Sequence, residues 1–232
     1  YSYNGKDWFE ANTKVIAALH CVAYGNNMFV AATYNGSPSQ IYSYNGIDWF
    51  QANTKVTTGY WVSIAYGNNM FVAVSYNVAP YQMYSYNGID WFEADTKVAG
   101  QWYGVAYGNN MFVAVSYNVA PWQIYSYNGI YWFEATKKVA AGQWLDVGFG
   151  NNMFVAVADN APYQIYSYNG KDWFEANTKV VGRWHYAVYG NNMFVAVSHI
   201  VSPWQIYSYN GIDWFEATTK VTTGEWVGIA YG

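Results

Sequence analysis

The sequence predicts an all-β fold, a six-bladed β-propeller of about 41-residue four-stranded blades, and three observations predict it. The stretch Tyr42-Ser43-Tyr44-Asn45-Gly46-Ile47-Asp48-Trp49-Phe50 returns almost unchanged from Tyr1, Tyr84, Tyr125, Tyr166 and Tyr207. The starts are separated by 41 or 42 residues, the length of one propeller blade. Each period holds four short runs rich in aromatic and β-branched residues, punctuated by Gly, Asn and Pro, and no helical periodicity.

Taken in order, the third period opens with a first strand at Trp102-Tyr103-Gly104-Val105-Ala106-Tyr107. Gly108-Asn109-Asn110 tolerates positive φ and makes a hairpin into a second strand, Met111 to Ser116. The loop that follows, Tyr117 to Trp122, contains Pro121, which lacks a donor and belongs outside a central strand. The third strand is Gln123 to Ser126, and Asn128-Gly129 turns it into a fourth that begins at Trp132. A four-stranded unit of this length cannot cover both its faces, so neighbours must stack around an axis.

One domain therefore spans 1–232, with repeats starting near 1, 42, 84, 125, 166 and 207 and the last incomplete. Third and fourth strands occur six times and the first strand six times, but the second strand only five, at Met28, Met70, Met111, Met153 and Met193. The expected closure is a split sixth blade, its first strand from the C-terminus and its outer strands from the N-terminus. Five or seven blades are the alternatives. Tyr1 falls inside a repeat, so the natural N-terminus is expected to lie elsewhere.

Composition narrows the function. The chain is 53% hydrophobic and 22% aromatic but only 10% charged, so much of its surface must be neutral polar or aromatic. Nine Lys and one Arg are scattered and the net charge is −4, which leaves no basic face for a phosphate backbone. The longest apolar runs, such as Met111 to Val115, are of strand length, so no membrane-inserting helix is expected. Cys21 alone makes no disulfide.

The segment Ser43-Tyr44-Asn45-Gly46-Ile47-Asp48-Trp49 resembles a shortened Asp-box, the Ser-x-Asp-x-Gly-x-Thr-Trp hairpin of sialidase-type (BNR) propellers. With Trp61 to Val74 it is similar to propeller repeats of phage tail-fibre, giant-virus and bacterial surface proteins, and the resemblance covers the whole chain. It departs by one residue and by Asn in place of Asp. The resemblance implies a shared hairpin and a propeller. A sialidase would need three arginines, whereas only Arg183 is present.

Acids such as Asp7, Glu10, Asp48, Glu93, Asp172 and Glu175 sit at repeated positions, which suits turn hydrogen bonds better than a single catalytic centre. Asp146 and Asp159 are unique to one blade, as are His20, His185 and His199, without metal-ligand spacing. The sequence thus predicts no enzyme, cofactor or metal. Strand order gathers the variable loops on one face. There Tyr81, Trp122, Tyr163 and Trp204 each follow a proline and precede Gln82, Gln123, Gln164 and Gln205. Rings flanked by amides suit sugars, the ring taking a pyranose C–H face and the amide reading hydroxyls. Ser39 stands at this position in the first blade, which is expected to lack a site. The strand-opening tryptophans Trp61, Trp102, Trp144, Trp184 and Trp226 are expected to pack between blades.

The function expected is a non-enzymatic, multivalent carbohydrate-binding or adhesion module, extracellular or on a virion or cell surface. The alternative is a structural or protein-docking propeller. Glycans or a glycosylated surface are the expected partners, with other protein subunits second, and no nucleic acid.

Overall fold

Each second strand begins Met-Phe-Val-Ala and continues Val-Ser in three of its five copies, apolar on both faces, so it needs cover from both sides. The computed structural model describes residues 1–13, 15, 18–34, 37–57, 59–199, 202–221, 226 and 228–231. It meets that need with five four-stranded antiparallel sheets stacked in sequence order.

The first blade comprises β1 (Leu19–Gly25), β2 (Met28–Thr33), β3 (Gln40–Ser43) and β4 (Phe50–Gln51). The second has β5 (Trp61–Gly67), β6 (Met70–Ser75), β7 (Gln82–Ser85) and β8 (Phe92–Glu93). The third has β9 (Trp102–Gly108), β10 (Met111–Ser116), β11 (Gln123–Ser126) and β12 (Phe133–Glu134). The fourth has β13 (Trp144–Gly150), β14 (Met153–Ala158), β15 (Gln164–Ser167) and β16 (Phe174–Glu175). The fifth has β17 (Trp184–Gly190), β18 (Met193–Ser198), β19 (Gln205–Ser208) and β20 (Phe215–Glu216). The outermost strands are two residues long, shorter than the sequence suggested, which blunts each exposed edge.

First strands of successive blades lie side by side, β1 on β5, β5 on β9, β9 on β13 and β13 on β17, so they line the axis. Six blades were expected; the described residues form five sheets, and closure of the ring is not among their contacts. Residues 1–9 instead form a hairpin in which Phe9 N–H donates to Tyr1 O at 2.8 Å.

The cores lie between blades. Met28, Val30, Ala32 and Val56 of the first blade pack on Trp61, Ile64, Phe71, Met83 and Trp91 of the second, and the arrangement repeats at the next three interfaces. Trp61, Trp102, Trp144 and Trp184 are 0% exposed, so these tryptophans are interblade core. Each removes roughly 4–6 kcal/mol worth of apolar surface from water before entropy is charged. At the far end of the first strands a glycine admits the next blade's ring. A Cβ at Gly67 would lie 2.0 Å from Tyr107, and one at Gly108 2.1 Å from Phe149.

The repeated hairpin explains the constancy of its polar residues. Ser43 Oγ accepts from Gly46 N–H at 2.8 Å, and Asn45 Oδ1 accepts from Ile47 N–H at 2.9 Å and Asp48 N–H at 2.8 Å. Asn45 Nδ2 donates to Asp48 Oδ2 at 2.9 Å, the turn role read for the repeated acids. In the second blade, hydrogen bonds from Asn87 and Thr54 hold Asp90 below its ordinary pKa.

Candidate ligand-binding face

Antiparallel pairing puts the start of each first strand beside the end of each second strand, for example Trp61 opposite Ser75, so the variable loops share one end of the axis. The loop rings stand there in an unusual backbone conformation. Tyr81, Trp122, Tyr163 and Trp204 hold φ of 67°, 60°, 66° and 67°, the left-handed region that costs an L-residue on the order of 1–2 kcal/mol. The loop secures them: Ser75 N–H donates to Tyr81 O at 2.8 Å and Ser116 N–H to Trp122 O at 2.8 Å. Tyr81, Trp122 and Tyr163 are half-buried against successive interblade cores, and each belongs to a different one.

The glutamines have another task than reading hydroxyls. Gln82, Gln123 and Gln164 are 0% exposed. Gln123 Nε2 donates to Val139 O at 3.1 Å while its Oε1 accepts from Val139 N–H at 3.0 Å. Gln82 makes the same pair with Val98 and Gln164 with Val180. Gln205 makes it with Val221 and remains half-buried. Each amide thus ties the third strand to the segment leading into the next blade, and both its ends are used by backbone. Ser39 is buried as well and donates to Thr57 O at 3.3 Å.

A second feature of this face was not read from the sequence. The first strands carry a register shift at their second residue, between Trp61 and Ser63 in β5 and at the matching place in the other four. Such a bulge re-aims the extra side chain, and here His20, Val62, Tyr103, Leu145 and His185 converge on a small axial cavity of about 30 Å³ that also meets Ser63, Asp146 and Tyr186. Above it lie the residues that follow each second strand and precede each first strand.

Together they form a mouth with two halves. Three blades give an aromatic arc. Tyr34 stacks on Tyr60 at 4.7 Å and 12°, and Tyr103 lies 5.4 Å from Tyr76 and 5.5 Å from Tyr117. Tyr76 N–H donates to Tyr60 O at 2.8 Å, which joins the two groups. The other half is ionisable. Arg183 grips Asp159 with Nε on Oδ1 at 2.5 Å and Nη2 on Oδ2 at 2.6 Å, and His185 faces His199 at 4.8 Å.

Electrostatics follow burial. Desolvation pushes the Asp146 carboxyl up to about 7 against the opposing pull of the Ala187 and Val147 N–H groups; Ala187 N–H donates to Oδ2 at 3.0 Å. Burial, then the charges of His199 and Arg183, lower His185, with Asp159 opposing. Burial drives the Cys21 thiol up to about 12, so it is not a reactive thiolate at neutral pH. Asp159 is committed to Arg183, and no cluster of three or more His, Cys, Asp or Glu among the described residues is arranged to hold a metal.

A signal for the mouth exists in the sequence. The copies are near-identical, yet the bulge position reads His, Val, Tyr, Leu, His and the position after the second strand reads Tyr, Tyr, Tyr, Asp, His. Differences that look scattered along the chain meet at one place in space.

No protein-family model matches the sequence, and no curated protein matches it. Solved structures share the fold. YCF48 bound to D1 peptide superposes with a TM-score of 0.64 at 15% identity, over 93% of this chain and 71% of that one. The GH74 enzyme of Niastella koreensis gives 0.65 at 17% over 87% of this chain, which spans only 30% of the enzyme. Virginiamycin B lyase from Staphylococcus aureus gives 0.65 at 8% over 88% and 71%. The chain is thus a repeat protein of the β-propeller kind, with neighbours of diverse function.

Proposed function

We propose that the protein is a non-enzymatic carbohydrate-binding and adhesion module, presented on an extracellular, virion or cell surface, that seats a sugar residue at the axial mouth. The observation that carries this reading is the convergence of the copies' differing positions on one axial mouth, half of it an aromatic arc, in an otherwise uniform chain. Tyr76, Tyr103 and Tyr117 offer ring faces to pyranose C–H groups and hydroxyls to its oxygens, while Gln101, Gln143 and Arg183 stand at the same rim. The half-buried loop rings Tyr81, Trp122, Tyr163 and Trp204 serve as outlying contacts, one in each of the second to fifth blades, with the paired glutamines holding their strands rather than touching sugar.

In this reading the ring has six blades and the hairpin is an Asp-box variant. Two features support the sixth blade. Tyr231 sits on Gly190 as Tyr189 sits on Gly150, and Asn12 N–H reaches Ile47 O at 3.1 Å as Asn53 N–H reaches Ile89 O at 3.0 Å. The Asp-box likeness is supported by the Asn45 amide oxygen, which accepts the two turn N–H groups.

A second reading is a protein-docking propeller. YCF48, bound to a peptide, offers a fold-level precedent.

A glycan array on the purified protein tests the proposal, followed by titration of the best oligosaccharide into wild type and Tyr103→Ala/Tyr117→Ala. Binding should fall at least tenfold in the double variant. A blank array would refute the carbohydrate reading and move the function to protein docking.

A further inference from the structure

A third set of aromatic rings lies outside the mouth, with one ring of each set, Tyr42, Tyr84, Tyr125 and Tyr166, packed on an interblade core and two turned away from it. At the outer edge of each blade, the repeated Tyr-Ser-Tyr and the Phe of the fourth strand bring three rings together. In the second blade Tyr84 meets Tyr86 at 5.6 Å and 78°, and Phe92 at 5.7 Å and 34°. The fourth blade repeats the corner at 5.6 Å and 77°, and 5.7 Å and 25°. Even the N-terminal hairpin builds it, at 5.5 Å and 79°, and 5.6 Å and 32°.

Two rings of each corner are open to water. Tyr44, Tyr86, Tyr127, Tyr168 and Tyr209 are between 50% and 61% exposed, and their phenylalanine partners between 37% and 47%. Neighbouring places do vary between copies: the half-buried Ile47 becomes Lys171, and the exposed Asn53 becomes Asp95. The open Tyr and Phe are the same in all six copies. Exposed rings grouped and repeated in this way point to an interaction site.

Charge selects the partner. Beside the second and third corners the charges pair, Lys97 with Glu93 at 2.8 Å and Lys138 with Glu134 at 2.5 Å, while Lys55 of the first blade meets the neutral Gln51 and single lysines lie over two corner rings, Lys137 over Phe174 at 3.8 Å and Lys171 over Tyr127 at 5.9 Å, so no corner presents a cluster of one charge sign. Beside the fourth corner runs an open groove of about 440 Å³ bounded by Lys138, Val139, Tyr166, Phe174 and Glu175, within the range of small-ligand clefts.

We propose that these corners are repeated subsites for an uncharged polysaccharide, whose successive sugars stack one ring against an open Tyr or Phe while the perpendicular ring closes the edge. The proposal rests on the carbohydrate reading but not on the mouth. One aromatic stack in open water holds a single sugar weakly, and several corners engaged by one polymer raise the strength by about 10²–10⁴.

The test is affinity electrophoresis through gels containing a soluble β-glucan, a galactomannan or an α-glucan. Wild type is compared with variants carrying one, three and five Tyr→Ser changes at Tyr44, Tyr86, Tyr127, Tyr168 and Tyr209, and with Tyr103→Ala/Tyr117→Ala. Apparent affinity for one polymer should fall stepwise, by at least about 10²-fold in the five-site variant. Melting should be unchanged and the mouth variant retarded like wild type. No retardation of wild type by any polymer, or full retardation of the five-site variant, overturns the proposal. So does complete loss at the first substitution, which indicates one site rather than many. If only the mouth variant loses retardation, the proposed function stands and the rim subsites do not.

Discussion

Asp146→Asn isolates the carboxylate that, among the described residues, lines the axial cavity. The Asn side chain keeps an oxygen for the Ala187 N–H, now 3.0 Å from Oδ2, and removes only the charge. Burial raises this carboxyl from 3.8 to about 7, so between those values the folded protein keeps a proton that the unfolded chain has already lost. Stability therefore falls as pH rises through this window, by up to about 1.4 kcal/mol per unit, which sums to roughly 4 kcal/mol at most. Partial access to solvent reduces this, and about 2–3 kcal/mol is expected at pH 8. His185, His20, Tyr103 and Tyr186 line the same cavity. The lowered His185 acts in the opposite sense, losing stability below its ordinary value, but this contribution is common to both proteins and cancels in the difference. Urea unfolding of wild type and Asp146→Asn from pH 4 to 8 should give curves that coincide at the acid end and separate progressively, with the variant more stable at pH 8. A difference independent of pH, or a variant less stable at pH 8, would refute the burial argument.

Gln123→Ala removes both amide bonds to Val139 and leaves a cavity at a fully buried site. It should cost about 3 kcal/mol in unfolding free energy, whereas a merely sugar-reading glutamine would leave stability unmoved. At Gly104 an added methyl would lie 2.8 Å from Asp146 Cα and 2.9 Å from Val147 N, so Gly104→Ala must shift backbone and should lower the unfolding free energy by about 2 kcal/mol or more, read from urea denaturation. Arg183→Ala strands Asp159, whose side chain is 6% exposed, at a cost of about 2 kcal/mol once the 43% exposure of the guanidinium is allowed for. Adding Asp159→Asn to that variant should restore part of the loss, which double-mutant unfolding curves will read.

The fold was legible because the period, the Asn-Gly turns and the strand-opening tryptophans each have one physical meaning. β10 and β11 run from Met111 to Ser116 and from Gln123 to Ser126, as the pattern indicates. The number of blades was less so, because a repeat specifies the neighbour contact and says nothing of the angle at which the ring closes. At the candidate site, Gln123 and its copies read as exposed because they follow a proline loop, yet a side chain with both a donor and an acceptor is also what a crossing backbone segment needs. The mouth was hidden by the bulge. Strict alternation aims the second residue of each first strand away from where the register shift turns it, so His20, Tyr103 and His185 came to the axis unannounced.

The most direct test of the carbohydrate reading is the crystal structure of the protein with the oligosaccharide selected by the array. The predicted result is a sugar ring stacked in the arc of Tyr76, Tyr103 and Tyr117, within hydrogen-bonding reach of Arg183 or Gln143. Density for the sugar at Trp122 and Trp204 alone, with the tyrosine arc empty, would contradict it.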